Sequence, residues 1–229
     1  MRIPAAAVLF GAAVGLVAGS ACTSSTLQLA RTTPRGETST AMAAGVQVFS
    51  VSGKRQRVPQ FEVGGRYGLT DRIDVGARVW LPYWELDTKF QLARSPTPTE
   101  GWDLAVAPGI GYLGGIPGDR EGSGAYLHTA ALSTTLYVGK NFADGSQLIL
   151  APRAVDFVMA GYAEAAGAIN LLYAGGSVGF AWKVTKSVRL VPQVSALFNV
   201  VGSLADFGTV VGLGGMHGQA SLGVLFGGD

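Results

Sequence analysis

Arg72-Ile73-Asp74-Val75-Gly76-Ala77-Arg78-Val79-Trp80 alternates apolar and polar residues without a break. Ile73, Val75, Ala77 and Val79 fall on one face, and Arg72, Asp74, Gly76 and Arg78 on the other. Successive side chains of a β-strand point to opposite faces, so strict alternation is a strand signal. The pattern continues in both directions. Upstream, Phe61, Val63, Gly65 and Tyr67 oppose Glu62, Gly64 and Arg66; downstream, Leu86, Thr88, Phe90 and Leu92 oppose Asp87, Lys89 and Gln91. Trp102, Leu104, Val106, Pro108, Ile110 and Tyr112 alternate with Asp103 and a series of Ala and Gly. Later segments repeat it more weakly, with Val178, Phe180 and Trp182 against Ser177 and Gly179, and Leu222, Val224 and Phe226 against Ser221 and Gly223. The segments number about ten, within a range of eight to twelve: 36–49, 59–68, 72–80, 84–93, 102–113, 125–138, 146–158, 169–182, 187–201 and 216–227. Arg153 and Asp156 differ by three positions, which predicts a bulge near Pro152. The helix-friendly stretch Tyr162 to Ala166 is about one turn long and ends at Gly167.

Composition sharpens the reading. The chain has 229 residues, 48% hydrophobic and 14% charged, with 34 glycines and one cysteine; mean hydropathy is +0.32. Ordinary domains carry about 25% charged residues and about 7% Gly. Disorder needs the opposite balance, and one cysteine cannot form a disulfide within the chain. A net charge of +2, with no basic cluster denser than Lys54-Arg55-Gln56-Arg57, excludes a nucleic-acid partner. Past the first twenty residues no run approaches the ~18 apolar residues of a spanning helix. The hydrophobicity therefore lies in alternate residues of strands. One face of nearly every strand is Leu, Val, Ile, Phe, Trp and Ala; the other mixes Gly, Ala and Ser with isolated charges. That second face is too poor in charge for a solvated exterior and suits a narrow lumen. Apolar outside and polar inside is the arrangement of a transmembrane β-barrel, and closure removes strand edges that lipid cannot hydrate. The fold class is all-β: a transmembrane antiparallel up-and-down barrel. Tyr67, Trp80, Tyr83, Trp84, Trp102, Tyr112, Tyr137, Phe142 and Trp182 lie near strand ends, where aromatic girdles form.

The N-terminus reads as an address. Met1-Arg2-Ile3-Pro4 is followed by the uncharged run Ala5 to Ala18 and then Gly19-Ser20-Ala21-Cys22. A basic start, an apolar core and small residues at the junction describe a cleaved signal peptide over 1–21. The Cys directly after the small residues resembles the lipobox of bacterial lipoproteins, which implies an acylated Cys22; the alternative is a plain free thiol. Residues 22–35 are polar and rich in Thr and Ser, and read as a tether. Residues 36–229 form a single domain, with the N-terminus on the periplasmic side.

Tyr67-Gly68-Leu69-Thr70-Asp71-Arg72-Ile73-Asp74-Val75-Gly76 and the terminal Ser221-Leu222-Gly223-Val224-Leu225-Phe226 resemble the strand-turn-strand motif and closing strand of small bacterial outer-membrane barrel proteins. The resemblance implies a bacterial outer-membrane location, outer-membrane lipids as surroundings and handling by the outer-membrane assembly machinery.

Chemistry is sparse. Gly109-Ile110-Gly111-Tyr112-Leu113-Gly114 spells a dinucleotide fingerprint but leads into the loop-like Gly115 to Asp119 rather than a helix, so it is rejected. His128 and His217 lack companions at metal-ligand spacing, so neither a metal nor another cofactor is expected. Glu62, Arg66, Asp74, Arg78, Asp87, Lys89, Asp103, Arg153 and Arg189 are expected to line the lumen, as a salt-bridged plug or a narrow polar pathway. Lys54, Arg55 and Arg57 on the first outer loop are candidates to meet lipopolysaccharide phosphates. The function expected is a structural or passive porin-like role without catalysis. The alternatives are a selective small-solute channel with an Arg/Asp-lined lumen, or a lipid-modifying enzyme acting at the rim through His128.

Overall fold

The computed structural model describes residues 26–51, 54–80, 83–117, 126–161, 168–201 and 216–227. They form ten strands: β1 (Thr38–Val51), β2 (Lys54–Thr70), β3 (Ile73–Trp80), β4 (Tyr83–Ala93), β5 (Trp102–Pro117), β6 (Tyr126–Asn141), β7 (Gln147–Gly161), β8 (Ala168–Lys183), β9 (Val188–Val201) and β10 (Met216–Gly227). Each strand pairs antiparallel with its neighbours in sequence, and β10 closes on β1. Following the registers once round the barrel returns the path to β1 about twelve residues further along, a stagger that goes with strands tilted roughly 40°. The fold is the closed antiparallel barrel expected from the alternation.

The two faces are separated as the period of two requires. Phe61, Val63, Leu86, Ile110, Leu132, Val194 and Leu222 point outward and are exposed, Phe61 at 72%. The residues beside them in sequence are buried inward, among them Glu62, Asp87 and Ser133. An exterior this apolar is unfavourable in water and suited to lipid, so the barrel is of the outer-membrane kind. Short turns 71–72, 94–101, 142–146 and 184–187 join strands at one end, here called the turn side. In the turn 142–146, the Ser146 amide and hydroxyl both donate to the Asp144 carboxylate, at 2.9 and 3.0 Å, and hold that carboxyl below its usual pKa.

Four expectations need correcting. The bulge near Pro152 is absent: β7 keeps one register with β6 and with β8 through that point. Asp156 shares the outward face with Pro152 and Ala154 instead of following Arg153 inward, and pairs across the strands with Leu132. Trp80, Tyr83 and Tyr137 are not girdle residues. They are 4, 2 and 1% exposed and face the lumen, because they share parity with Arg78, Glu85 and Thr135. The outward set that remains includes Tyr67, Trp84, Trp102, Phe142 and Trp182. Lys54, Arg55 and Arg57 belong to β2 itself, which pairs with β1 up to Val51↔Lys54, so the first outer connection is confined to 52–53. Finally, the segment expected as a tether does not hang free: residues 26–35 run inside the barrel.

Candidate functional site: the lumen and its N-terminal plug

Arg35 bridges to Gly68 at the turn-side rim, and the chain N-terminal to it climbs into the lumen. Its backbone is satisfied by inward side chains of the wall. The Thr33 amide donates to Asp74 Oδ2 (2.7 Å), the Thr32 amide to Gln91 Oε1 (2.6 Å) and the Ala30 amide to Gln147 Oε1 (2.8 Å). Lys89 Nζ donates to the Leu29 carbonyl at 2.9 Å. Thr26, the furthest described residue, lies against the middle of β8 and β9. Its hydroxyl is 2.5 Å from Ser177 Oγ, and Gln193 Nε2 donates to it at 2.7 Å. An extended segment has no helix or sheet of its own to absorb its polar groups, so burying it needs partners of this kind.

Arg31 fastens the segment at the base. Its Nε and Nη2 each donate to the Asp103 carboxylate at 3.1 Å, and Nη2 also reaches the carbonyls of Ser95 and Thr97. Asp103 is fully buried and accepts further bonds from the Ser95 amide (2.8 Å) and Asn141 Nδ2 (2.8 Å). A two-point Arg–carboxylate contact fixes orientation as well as charge.

Around the plug the predicted lumen charges form two ionic groups. In the lower one, Arg66 donates to Asp74 Oδ1 from Nε and Nη2 at 2.8 and 2.5 Å and pairs with Asp87 at 2.7 Å, while Lys89 lies 3.8 Å from Asp74. The upper group centres on Glu85. Arg78 Nη2 pairs with it at 2.8 Å, Arg153 Nη2 donates to both of its oxygens at 2.9 and 2.7 Å, and Tyr83 and Ser133 donate their hydroxyl protons to it at 3.0 and 2.9 Å. Glu62 stands 3.8 Å from Arg78. Arg189 is buried and inward near the start of β9. A cavity of ≈ 50 Å³ is left between the plug and these groups, enough for a few waters but not for a solute.

Glycines make room for this packing. A Cβ at Gly76 would stand 2.4 Å from the Arg66 guanidinium, and one at Gly68 only 2.0 Å from the Pro34 carbonyl oxygen. Three residues of the quoted motif thus serve the lumen: Gly68 admits the plug backbone, Asp74 binds it, and Gly76 admits Arg66.

Sequence reasoning missed Glu85, although extending the alternation back from Asp87 reaches it. It also missed Arg31, Gln91 and Gln147, whose partners are remote in the chain. Cys22 lies outside the described residues. His128 is exposed on the outer face, with its Nδ1 2.5 Å from Tyr112 Oη and no carboxylate or nucleophile on it among the described residues. No group of three or more His, Cys, Asp or Glu side chains able to hold a metal occurs among the described residues.

No protein-family model and no curated protein sequence matches the chain. Solved structures similar to it are bacterial outer-membrane barrels. The outer-membrane protease OmpT of Escherichia coli is 10% identical, with 89% of this chain and 99% of that one covered and a TM-score of 0.45. OprG of Pseudomonas aeruginosa is 9% identical, covering 87% and 100%, with a TM-score of 0.38. Ail, the attachment invasion locus protein of Yersinia pestis, is 10% identical, covering 84% and 98%, again with a TM-score of 0.38.

Proposed function

We propose that this chain is an integral protein of a bacterial outer membrane whose barrel is closed by its own N-terminal segment, with a structural role at the membrane surface rather than that of an open porin. The observation that carries this reading is the seating of residues 26–33 across the turn-side half of the lumen, bonded to one group of mutually paired charges and accompanied by a second centred on Glu85. Charges already matched to one another offer a passing ion no field to follow, which speaks against the Arg/Asp-lined channel. Among the described residues His128 meets Tyr112 and no carboxylate or nucleophile, so nothing there favours the rim enzyme.

Export follows from the signal-peptide pattern of residues 1–21. Acylation of Cys22 is harder to reconcile with the plug. Three residues lie between Cys22 and Thr26, and the four steps from one to the other reach at most about 14 Å. An acyl chain in the turn-side leaflet would require them to return past Leu27 to Arg31, which occupy that end of the lumen. We therefore take the free N-terminus as the better reading. On the outer surface, Arg55 and Arg57 share the outward face of β2 with Phe61, which suits contact with phosphates of lipopolysaccharide above the apolar band.

Single-channel recording in planar bilayers tests the proposal. The refolded mature chain is expected to insert without conductance steps; steady conductance from the intact chain overturns the closed reading and restores the small-solute channel.

A further inference from the structure

One part of the lipid-facing surface is hollow. On β1, β2 and β3 the outward residues Thr40, Gly65 and Ala77 stand beside one another in register. The next outward row toward the loop side is bulky, with Met42, Val63, Val79 and Trp84 paired in the same order. The small residues open a groove of ≈ 940 Å³ that crosses β1 to β5, bordered by the exposed side chains of Tyr67, Leu86 and Ile110. Four strand spacings make it about 19 Å long, and its volume is that of a ligand cleft.

The interior does not require this hollow. Gly65 is not among the glycines with positive φ. A Cβ on it would meet only the Ser39 carbonyl oxygen at 3.7 Å, an ordinary contact. Gly68 and Gly76, by contrast, leave room for the plug backbone and for Arg66. The missing side chain at Gly65 therefore acts on the outer face alone. Thr38, Thr40 and Thr88 also line the groove. A hydroxyl against alkane finds no partner, whereas the ester carbonyls of a glycerolipid are acceptors.

The foot of the groove carries charges of both signs. On the outward face of β3 only Ile73 lies between Val75, in the groove, and the turn that holds Asp71 and Arg72. Arg94 reaches the same turn from below β4, its Nη1 donating to the Asp71 carbonyl at 2.9 Å. Asp71, Arg72 and Arg94 are all exposed at the turn-side rim. Guanidiniums match a phosphate, and a carboxylate accepts from an ammonium.

We infer that this groove holds one glycerophospholipid of the turn-side leaflet with a primary-amine head group. An acyl chain lies over Gly65 and Ala77, the phosphate meets Arg72 and Arg94, and the ammonium meets Asp71. A choline head group has no N–H to donate to Asp71, and a glycerol head group brings no cation to it. The inference rests on the barrel standing in a bilayer and not on the lumen being closed.

The full mature chain, refolded in detergent, is offered equal amounts of phosphatidylethanolamine, phosphatidylcholine and phosphatidylglycerol with identical acyl chains. Native mass spectrometry counts what each barrel retains. One phosphatidylethanolamine per barrel is expected, in excess of the other two lipids. Gly65→Leu and Ala77→Leu fill the groove from the lipid side, and each should lower that retention about tenfold. Asp71→Asn should abolish the preference over phosphatidylcholine. Equal retention of the three lipids, a preference for phosphatidylglycerol, or retention unchanged in both Leu variants overturns the inference. The unheated band on gels shows which variants have folded, and Ala77→Leu decides if Gly65→Leu does not. A chain that needs detergent yet retains no lipid selectively refutes this site alone, whereas one that stays soluble without detergent refutes the membrane barrel.

Discussion

Replacing Glu85 by Ala is the sharpest perturbation of the lumen. Glu85 is 2% exposed, and its two oxygens meet Arg78, Arg153, Tyr83 and Ser133. Removing the carboxylate takes a counter-charge from two buried guanidiniums at once. Breaking a buried ion pair by deleting one partner costs about 3–5 kcal/mol, because the remaining charge stays desolvated. The two hydrogen bonds that Tyr83 and Ser133 donate to the carboxylate add about 1.5–3 kcal/mol each, partly offset where those hydroxyls turn to water. Glu85→Ala should therefore lower barrel stability by at least about 3 kcal/mol, and Glu85→Gln, which keeps acceptors but no charge, by less. Adding Arg153→Ala to Glu85→Ala should cost less than the sum of the two single changes, since one orphaned charge goes with its partner. Urea unfolding of the refolded barrel in vesicles, followed by tryptophan fluorescence and by the folded band on gels, gives these differences. A loss below about 1 kcal/mol for Glu85→Ala, the scale of an exposed pair, would refute the claim that this group is buried and acts as the hub of the upper ionic layer.

Other substitutions test the plug and the turns. Gly68→Ala places a Cβ against the Pro34 and Thr33 carbonyls; it should loosen residues 26–35 and raise amide exchange there while the strands stay protected. Growth with tagged palmitate should leave Cys22 unlabelled, and label on it would restore the lipid anchor and displace the plug as described. At the β6–β7 turn, Asp144 has a lowered pKa in the folded chain, so its contribution is complete above the usual carboxylate value of about 3.9 and is lost as pH falls through the lower folded value. Backbone exchange at Phe142 to Ser146 should accordingly rise only in acid below about pH 4, and Asp144→Asn should remove that dependence.

The barrel was legible in the sequence because its signal is local. Period-two alternation needs no knowledge of distant partners, and Asp74 beside Val75 states its own face. The plug was not legible for the opposite reason. Thr26 finds Gln193 across 167 positions of sequence, and the Thr/Ser-rich composition of its segment is equally that of a free linker. Aromatic residues misled where position along a strand was weighed above parity: Trp80 and Trp84 lie equally near the strand ends, but only Trp84 faces lipid. The bulge near Pro152 came from assuming that every charge turns inward, whereas Asp156 sits on the outer face. Glycine abundance signalled a tight interior, and the particular contacts of Gly68 and Gly76 show what it accommodates.

The barrel is inside-out: apolar residues face lipid and paired charges lie within. Gel mobility of unheated and boiled samples in mild detergent checks this arrangement. A compact, faster-migrating band without heating that shifts on boiling is expected, from a protein that needs detergent to stay dispersed. A single band unaffected by heat, from a chain that remains soluble without detergent, would contradict it.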